Sequence, residues 1–508
     1  MTEYPMLSRL YSAGSLAATD DGFRFEVRNR LFDADIDEVV ALRFDGTELD
    51  LADVTLATED GTVIDASGAV PIPFPLAARM TVTVTGPRPG PGPHEVAVQV
   101  RATPFGNLAF HVTDHVSEPI DRGTTIPRQV DDRSDEAVAA RRDFLVHTTG
   151  VRPHHLFATT ISAPETRGNI EHFVGAAQVP VGIAGPVRVN GEHVQGEVLV
   201  PMATTEGTLV ASYNRGMKAL TLAGGVTTTV LDDRMQRAPV FAFDSARESR
   251  AFADFVRAHT EDLRAAAAAT TRHGELIQVE CYLASHLAFL RFDFRTGDAA
   301  GQNMVGKATF AACSWLLERV PGVRRFFLEG NLATDKKASH INLLHTRGKR
   351  VVAECVLPRH VLSQVLRVDP SSLLAHNAVS TVGSFLAGVN NNGLHAANGI
   401  TALFIACGQD VANVAEGSAG VIHAEPTPDG DLYLSITLPA LIVATHGGGT
   451  GLPTQRECLE MLGCTGEGSA LRLAEIVAAV VLAGELSLAA AISSLDWVSS
   501  HEQYGRNR

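Results

Sequence analysis

The chain has 508 residues, of which 45% are hydrophobic and 19% are charged, a composition typical of a folded protein with more than one domain. Its formal net charge of −15 disfavours nucleic acid and anionic membrane surfaces as partners, because both repel an acidic surface. The six cysteines all follow residue 280 and include no C-x-x-C pair, which predicts reduced core thiols in a cytoplasmic protein.

The sequence predicts neither a signal peptide nor a membrane span. The N-terminus has no basic segment followed by an apolar one. The most apolar run, 473–492, is rich in alanine and is interrupted by Glu475 and Glu485. That pattern favours a helix buried inside a large domain.

The N-terminal quarter of the chain predicts an all-β sandwich. Apolar and polar residues alternate over 23–27, 80–84 and 95–100, and Asp-Gly turns lie between these segments. Alternation with a period of two is the pattern of half-buried strands, and short strands at regular spacing are typical of a sandwich. We therefore assign residues 1–128 to an accessory β domain.

A mixed portion follows. A charged linker at 131–142 leads into a helix, and short strands with Gly/Pro turns come after it. Residues 226–319 then predict strand, helix, strand, strand, helix, with one helical region over 245–270, which is the order of a ferredoxin-like module. From residue 325 onward, glycine-rich turns alternate with alanine-rich helices. The predicted fold class is α+β, with several domains.

Two glycine-rich segments imitate known motifs without completing them. Gly301–Ala308 matches a phosphate loop except that Ala308 stands where a hydroxyl must hold Mg²⁺. His446–Gly449 resembles an esterase oxyanion loop, but the chain contains no G-x-S-x-G nucleophile motif. No complete G-x-G-x-x-G is present either, so a standard Rossmann site is not indicated. Each of these segments is more readily interpreted as a turn than as a ligand-binding loop.

Charged residues in otherwise uncharged surroundings are more unusual. They are Glu206, Asp410 and the run Asp335-Lys336-Lys337. Clustered acids and cations in a cleft are the groups from which catalytic sites are built. Taken one at a time, a helix cap accounts for Glu206, a solvated loop for 335–337 and a polar surface tail for His501. Only their combination with other segments favours a functional site.

Seven segments in chain order form this combination. They are VPVGIAGP (179–186), PMATTEGTLVASYNRG (201–216), GDAAGQNMVGK (297–307), GNLATDKKASHIN (330–342), HAANGITALFIACGQD (395–410), THGGGTGL (445–452) and LAGELSL (482–488). Together, these segments resemble the ordered signature set of 3-hydroxy-3-methylglutaryl-CoA reductases, of the class typical of mevalonate biosynthesis. The resemblance covers roughly residues 140–501.

The resemblance implies an architecture and an assembly. A large α/β domain around a long central helix (129–217 and 320–496) would bind acyl-CoA. An inserted ferredoxin-like domain (218–319) would bind NADPH, and residues 497–508 would form a C-terminal flap. Active sites would lie between subunits of a homodimer or a dimer of dimers, with acyl-CoA as substrate, CoA as product and no metal.

The resemblance also implies catalytic roles. Reduction of a thioester to an alcohol takes two hydride transfers, so the family consumes two NADPH. Lys336 would be the cation at the carbonyl oxygen and Glu206 the general acid. Asp410 would hydrogen-bond between them, and His501 on the flap would protonate the departing CoA thiolate.

Binding residues follow from the same resemblance. Asn214 and Arg215 would contact CoA. In the family's nicotinamide motif, usually D-A-M-G-M-N-M, Ala300 and Gln302 replace two methionines. The full set implied for the cofactor is Arg272, Asp298, Gly301, Gln302, Asn303, Met304, Gly408, Gln409, Gly448, Gly449 and Thr450.

The acyl pocket departs from the family pattern. Arg237, Asn331, Asp335, Lys337 and Asn398 match residues that line the hydroxymethylglutaryl group. A serine is replaced by Glu329 and a lysine by Val379, which opposes binding of a carboxylate unless Glu329 points away. Three hypotheses therefore stand: a reductase that makes mevalonate, a relative that reduces an acyl thioester without that carboxylate, and a silent CoA-binding or assembly protein.

Overall fold

The computed structural model describes residues 7–30, 33–68, 71–103, 106–116, 124–129, 131–271 and 273–494. The predicted flap, its His501 and the predicted cofactor residue Arg272 lie outside the described residues. The chain divides into two compact units, Met1–Thr125 and Ile126–Arg508, which are taken separately below.

The described part of the first unit contains ten strands and two short 3₁₀ turns, at Leu7–Leu10 and Leu51–Asp53. The strands are β1 (Ala17–Thr19), β2 (Gly22–Arg28), β3 (Ala34–Phe44), β4 (Thr47–Glu48), β5 (Val54–Thr58), β6 (Val63–Asp65), β7 (Ile72–Phe74), β8 (Arg79–Thr85), β9 (Pro93–Thr103) and β10 (Gly106–His115).

These strands form the predicted sandwich. One antiparallel sheet has the order β1-β2-β8-β5-β6 and the other β10-β9-β3-β4, with β7 paired to β3. Alternate side chains of β2, such as Phe23 and Phe25, face a core that Leu42, Val96 and Phe110 of the other sheet share. The alternation in the sequence thus reports burial of one face of each sheet. The sandwich prediction is confirmed.

The second unit holds the remaining strands and all the described α-helices. Its strands are β11 (Val181–Gly191), β12 (Gln195–Ala203), β13 (Val226–Arg237), β14 (Val240–Ala242), β15 (Glu275–Ala284), β16 (Leu287–Arg295), β17 (Arg325–Phe327), β18 (Gly348–Leu357), β19 (Val421–Pro426) and β20 (Leu432–Leu441). Its helices are α1 (Asp135–Thr149), α2 (Leu209–Leu222), α3 (Ala246–Ala258), α4 (Thr260–Ala268), α5 (Gln302–Arg319), α6 (His340–Leu344), α7 (Arg359–Val361), α8 (Pro370–Ala387), α9 (Ala396–Ala406), α10 (Val414–Gly417), α11 (Pro453–Met461) and α12 (Ser469–Ser493).

Helix α12 is the centre of the large α/β core. It packs against α2, α8, α9, β13 and β18, and its residues are buried on every side over most of its length. The helix is long and apolar enough to cross a membrane, but 78% of its most apolar window is buried inside the fold. It therefore behaves as the core helix that the sequence predicts.

Two buried acids on α12 explain the interruptions of its apolar run. The Glu475 carboxylate accepts hydrogen bonds from the backbone N–H groups of residues 192–194, and Glu485 accepts from those of residues 394–396. Burial raises the pKa of Glu485, and these N–H groups oppose that rise. Each carboxylate accepts hydrogen bonds from the backbone N–H groups of a loop, which would otherwise be buried without partners.

A ferredoxin-like module is present, with two differences from its predicted outline. Its antiparallel sheet has the order β17-β14-β16-β15, so its last strand lies beyond residue 319. The single helical region predicted over 245–270 is two helices, α3 and α4. The break lies at His259, whose ring contacts the Phe255 carbonyl at 2.9 Å and stacks on the Phe255 ring. The domain boundaries themselves stay predictions.

Strand β13 connects this module to the large domain. Its first half pairs with β11 and β18, and its last residues pair with β16.

The predicted thiols are also found: all six cysteines are free, and all except Cys281 are buried.

Candidate active site

Lys336 and Asp410 form the ion pair at the centre of the candidate site. Lys336 Nζ lies 2.8 Å from Asp410 Oδ2, and each side chain is 43% exposed. The hydrogen bond that Lys336 donates to Asp410 raises the pKa of Lys336 above its ordinary value, which keeps the ammonium charged. Two predicted catalytic residues are therefore together, and both side chains are partly exposed to solvent.

Asp335 joins the predicted substrate and cofactor residues. Its Oδ1 accepts from Arg347 Nη2 at 2.6 Å and from Gln302 Nε2 at 3.3 Å, and its Oδ2 lies 4.0 Å from Arg237 Nη1. Arg237 also donates to the Gln302 carbonyl at 2.7 Å. The nearby Lys337 Nζ donates to the Asp335 carbonyl at 3.0 Å. The first turn of α5 and the loop before α6 thus meet at one carboxylate.

The two departures from the family pattern have different surroundings. Glu329 Oε1 accepts from the backbone N–H of Asn331 at 2.6 Å, so its carboxylate is engaged within its own loop. Burial and the neighbouring Arg347 lower the pKa of Arg237, and the charges of Asp335 and Glu329 partly oppose that. Val379 is 72% exposed on α8.

Glu206 lies just before α2, in a second group of predicted residues. Its side chain is exposed, and its backbone N–H donates to Thr204 Oγ1 at 3.0 Å. Within the described part of the chain, no hydrogen bond or ion pair joins Glu206 to Lys336 or Asp410. The predicted hydrogen bond between Asp410 and Glu206 is therefore not present in the described part of this chain.

The predicted CoA residues on α2 hold neighbouring segments. Asn214 Oδ1 accepts from the Gly185 N–H at 2.9 Å, and Arg215 donates to Ser487 Oγ and to the Ser487 carbonyl. Asn398 lies at the start of α9, where its Nδ2 contacts His395 Nδ1 at 3.0 Å.

Asp298 anchors the predicted cofactor site. Its carboxylate accepts from the N–H groups of Gly468 and Ala470 and so caps the central helix α12. Its carbonyl accepts from the N–H groups of Thr445 and His446. The start of α12, the loop before α5 and the segment from residue 444 are thereby fixed together.

Further predicted cofactor residues lie on the segment from residue 444 or contact it. Gln409 exchanges hydrogen bonds with the Ala444 backbone, at 2.8 Å each. A Cβ on Gly408 would lie 2.3 Å from the Gly449 carbonyl oxygen, so these two backbones touch. Thr450 Oγ1 donates to the Gly447 carbonyl at 2.7 Å. Geometry of this kind needs glycine, which is why the motif is rich in it.

The remaining cofactor residues differ in their surroundings. Gly301 has a positive φ and lies directly before α5, and a Cβ there would lie 2.3 Å from Thr296 Cγ2. On the first turn of α5, Asn303 is exposed and Met304 is half-buried. Gly448 also has a positive φ, with nothing within 4 Å of where its Cβ would be. The backbone at Gly448 is therefore accessible to a ligand.

One cluster among the described residues has the spacing of metal ligands, formed by Glu192, His193 and Glu475. Glu475 already accepts from the backbone N–H groups of Glu192 and His193. The cluster is therefore explained as a capped turn.

Three further residues in these groups were not predicted from the sequence. His395 is buried beside Asn398, and burial lowers its pKa to about 4. Arg347 and Glu416 are fully buried, and Arg347 Nε lies 3.2 Å from Glu416 Oε2. His395 lies within a signature segment, so its chemistry could have flagged it. Nothing in the local pattern marks Arg347, whereas Glu416 is the sole charge in residues 411–422, the same signal that marked Glu206.

The family can be identified by comparison. A family model described as "Hydroxymethylglutaryl-coenzyme A reductase" matches residues 137–506. The chain belongs to this family. A second model, for the N-terminal domain of hydroxymethylglutaryl-CoA reductase, matches residues 6–117. The N-terminal sandwich therefore corresponds to a domain that is described for hydroxymethylglutaryl-CoA reductases.

Named reductases match most of the chain. The 3-hydroxy-3-methylglutaryl-coenzyme A reductase of Pyrococcus horikoshii is 45% identical over 378 residues, covering 73% of this chain and 92% of that protein. The reductase of Methanocaldococcus jannaschii is 40% identical over 400 residues, covering 77% and 98%. A class II reductase of Streptococcus pneumoniae, whose structure contains NADPH, has a TM-score of 0.54 and 22% identity, covering 71% of this chain and 86% of that chain. This last likeness concerns the fold.

Proposed function

We propose that this chain reduces 3-hydroxy-3-methylglutaryl-CoA to mevalonate and CoA, with two NADPH consumed per turnover. The observation that carries this function is the Lys336–Asp410 ion pair, set beside the Asp335 carboxylate that links the acyl and nicotinamide residues. Membership of the reductase family supports the same reaction.

The residues supply charge where the reaction creates it. The Lys336 ammonium stabilises the oxyanion that forms when hydride reaches the thioester carbonyl. Collapse of that anion breaks the C–S bond and releases CoA thiolate, and the thiolate takes a proton from His501. The second hydride reduces the aldehyde to an alcohol, whose oxygen takes its proton from Glu206. Asp410 keeps Lys336 charged and oriented throughout.

NADPH fits the open glycine backbone at Gly448 and the partly exposed first turn of α5, and when bound it supplies the hydride. Asn303 and Met304 would hold the nicotinamide end. Arg272 would face the 2′-phosphate. The pneumococcal reductase, whose structure contains NADPH, supports the choice of cofactor.

We propose further that two copies of the chain complete each active site. No hydrogen bond or ion pair joins Glu206 to the Lys336–Asp410 pair within the described part of one chain, which supports the supply of one of them by a second copy. An apolar face of α8 supports such an assembly, because large hydrophobic side chains are exposed there beside Val379. They are Val382 (59%), Phe385 (83%) and Leu386 (79%). A homodimer or a dimer of dimers in the cytoplasm, without nucleic acid or membrane partners, is the assembly proposed.

A single assay tests this function. Purified protein is mixed with NADPH and hydroxymethylglutaryl-CoA, and nicotinamide absorbance is followed. We expect turnover in the wild type and a loss of about 100-fold or more in Lys336→Ala, because the oxyanion loses its counter-charge. Turnover of Lys336→Ala at the wild-type rate would contradict the assignment.

The alternative substrate class is tested in the same assay. An acyl-CoA without a carboxylate should be a poor substrate, because it has no group to pair with the cationic Arg237 and Lys337, while Glu329 Oε1 is engaged with the Asn331 N–H. If that thioester is reduced and hydroxymethylglutaryl-CoA is not, the alternative holds, and Glu329→Ser with Val379→Lys should reverse the preference. Silence with every thioester, despite CoA binding, would leave only a binding protein.

A further inference from the structure

Two segments meet at the Lys336–Asp410 pair, and that contact is exposed. The first is the catalytic loop, residues 331–337, and the second is the acidic segment, residues 410–417. Both partner side chains are 43% exposed. An exposed ion pair contributes about 0–1 kcal/mol, which is little with which to fix a reacting group. Another contact must therefore hold the two segments in position relative to each other.

A buried contact crosses the same two segments. The side chain of Arg347 is 0% exposed. Its Nη2 lies 2.6 Å from Asp335 Oδ1 in the catalytic loop, and its Nε lies 3.2 Å from Glu416 Oε2 in the acidic segment. Its Nη1 contacts the Gln236 carbonyl at 3.4 Å, which fixes it to β13. One planar guanidinium thus bridges a carboxylate from each segment.

The catalytic loop needs such support because its backbone is strained. Asn331, Thr334 and Lys336 have φ angles of 66°, 60° and 57°, in the left-handed region. A non-glycine residue there costs on the order of 1 kcal/mol or more and persists only where the surroundings impose it. Asp335 lies between two of the three, so its bond to Arg347 acts at the strained position.

The charge of Glu416 depends on the same contacts. Burial raises the pKa of Glu416 to about 7, and Asp335 acts in the same direction. Arg347 and the backbone N–H of Lys336 oppose that rise. Glu416 is therefore coupled to the catalytic loop both through Arg347 and through the Lys336 backbone.

We infer that Glu416, acting through the buried Arg347, is a positioning residue that holds the catalytic loop so that Lys336 faces Asp410. This inference rests on the catalytic roles proposed above. Glu416 and Arg347 need not touch substrate or cofactor. Their effect is on the rate of the chemical steps, which depends on the placement of Lys336.

The test is kinetic. Glu416→Gln keeps the shape of the side chain and removes its charge. We expect kcat to fall about 10- to 100-fold, as for a misplaced catalytic group, while the KM values for NADPH and hydroxymethylglutaryl-CoA stay within about twofold. Arg347→Lys, which keeps the charge and loses the planar fork, should show the same split. Glu460→Gln is the matched control, because Glu460 forms an exposed pair with Arg456 and should keep wild-type kcat.

Further variants separate the possible failures. Glu416→Asp keeps the charge and should recover part of the lost kcat, which a merely structural role would not require. If Glu416→Gln does not fold, Glu416→Asp and Arg347→Lys decide the question. Wild-type kcat in folded Glu416→Gln, with Lys336→Ala inactive, overturns the inference and leaves the proposed function standing. Wild-type activity in Lys336→Ala would instead overturn the proposed function.

Discussion

His395 is a histidine held neutral by its surroundings. Its Nδ1 lies 3.0 Å from Asn398 Nδ2 and its Nε2 lies 3.3 Å from Ser212 Oγ. An amide N–H can only donate, so Nδ1 accepts and Nε2 carries the proton that reaches Ser212. The ring thus links α9, which carries Asn398, to α2, which follows Glu206.

A pH-dependent stability follows from this burial. The folded chain holds the pKa of His395 at about 4, below its ordinary value of 6.5. As the pH falls, the unfolded chain therefore binds a proton at this histidine before the folded chain does. The folded state loses stability between pH 6.5 and 4, and His395 accounts for on the order of 3 kcal/mol of that loss. His395→Gln should flatten that part of the curve of unfolding free energy against pH, measured by urea denaturation. An unchanged curve would contradict this, and the exposed His360→Gln is the control.

At the residue scale, the sequence predicted charges that lie in signature segments and missed those that act through burial. Lys336 and Asp410 were identified by resemblance, and the structure pairs them. Arg347 has charged neighbours in the sequence and Glu416 has none within five residues, and the chain's tertiary packing removes both from water. Burial of a charge depends on residues far away in sequence, so local pattern cannot reveal it.

Among the elements, helices α2 and α12 approach closely through glycine. A Cβ on Gly216 of α2 would lie 1.9 Å from the Ala483 carbonyl oxygen on α12. The ring of Tyr213 fills the space left by Gly399 and Gly484 in the same way. The small alanine and glycine residues of α12 therefore allow neighbouring helices to pack closely around it.

Gly216→Ala should destabilise the fold. The added methyl group overlaps backbone of α12, and overpacking of this kind costs about 1–3 kcal/mol, more than alanine gains in helix propensity. Gly306→Ala in α5 is the matched control, because its Cβ would have no neighbour closer than 3.6 Å. We expect the control to be neutral or slightly stabilised in thermal unfolding. Equal unfolding temperatures for the two variants would refute the packing argument.

Element type was largely predictable and element limits were not. The sandwich and the ferredoxin-like order follow from periodicity and from the spacing of turns. The break at His259 depends on contacts of its ring with Phe255 and with Trp315 of α5, a helix more than forty residues away. Such a contact exists only after the module has folded.

For the whole molecule, the proposed assembly would make activity a property of two copies of the chain. In this proposal a second copy covers the exposed apolar residues of α8 and also supplies the catalytic group that completes each site. Disrupting the α8 face and removing a catalytic residue should therefore have the same consequence for turnover.

Mixed oligomers test this arrangement. Glu206→Gln and Lys336→Ala should each be inactive alone, yet co-assembly should restore about a quarter of wild-type turnover, because half of the random dimers are mixed and one of their two sites is intact. Lys336→Ala mixed with Asp410→Asn is the control and should recover nothing, since those two residues pair within one chain. Recovery is measured as NADPH oxidation after co-expression with two affinity tags. No recovery in the first mixture would place Glu206 and Lys336 of each site in the same chain, because a mixed dimer would then contain no intact site.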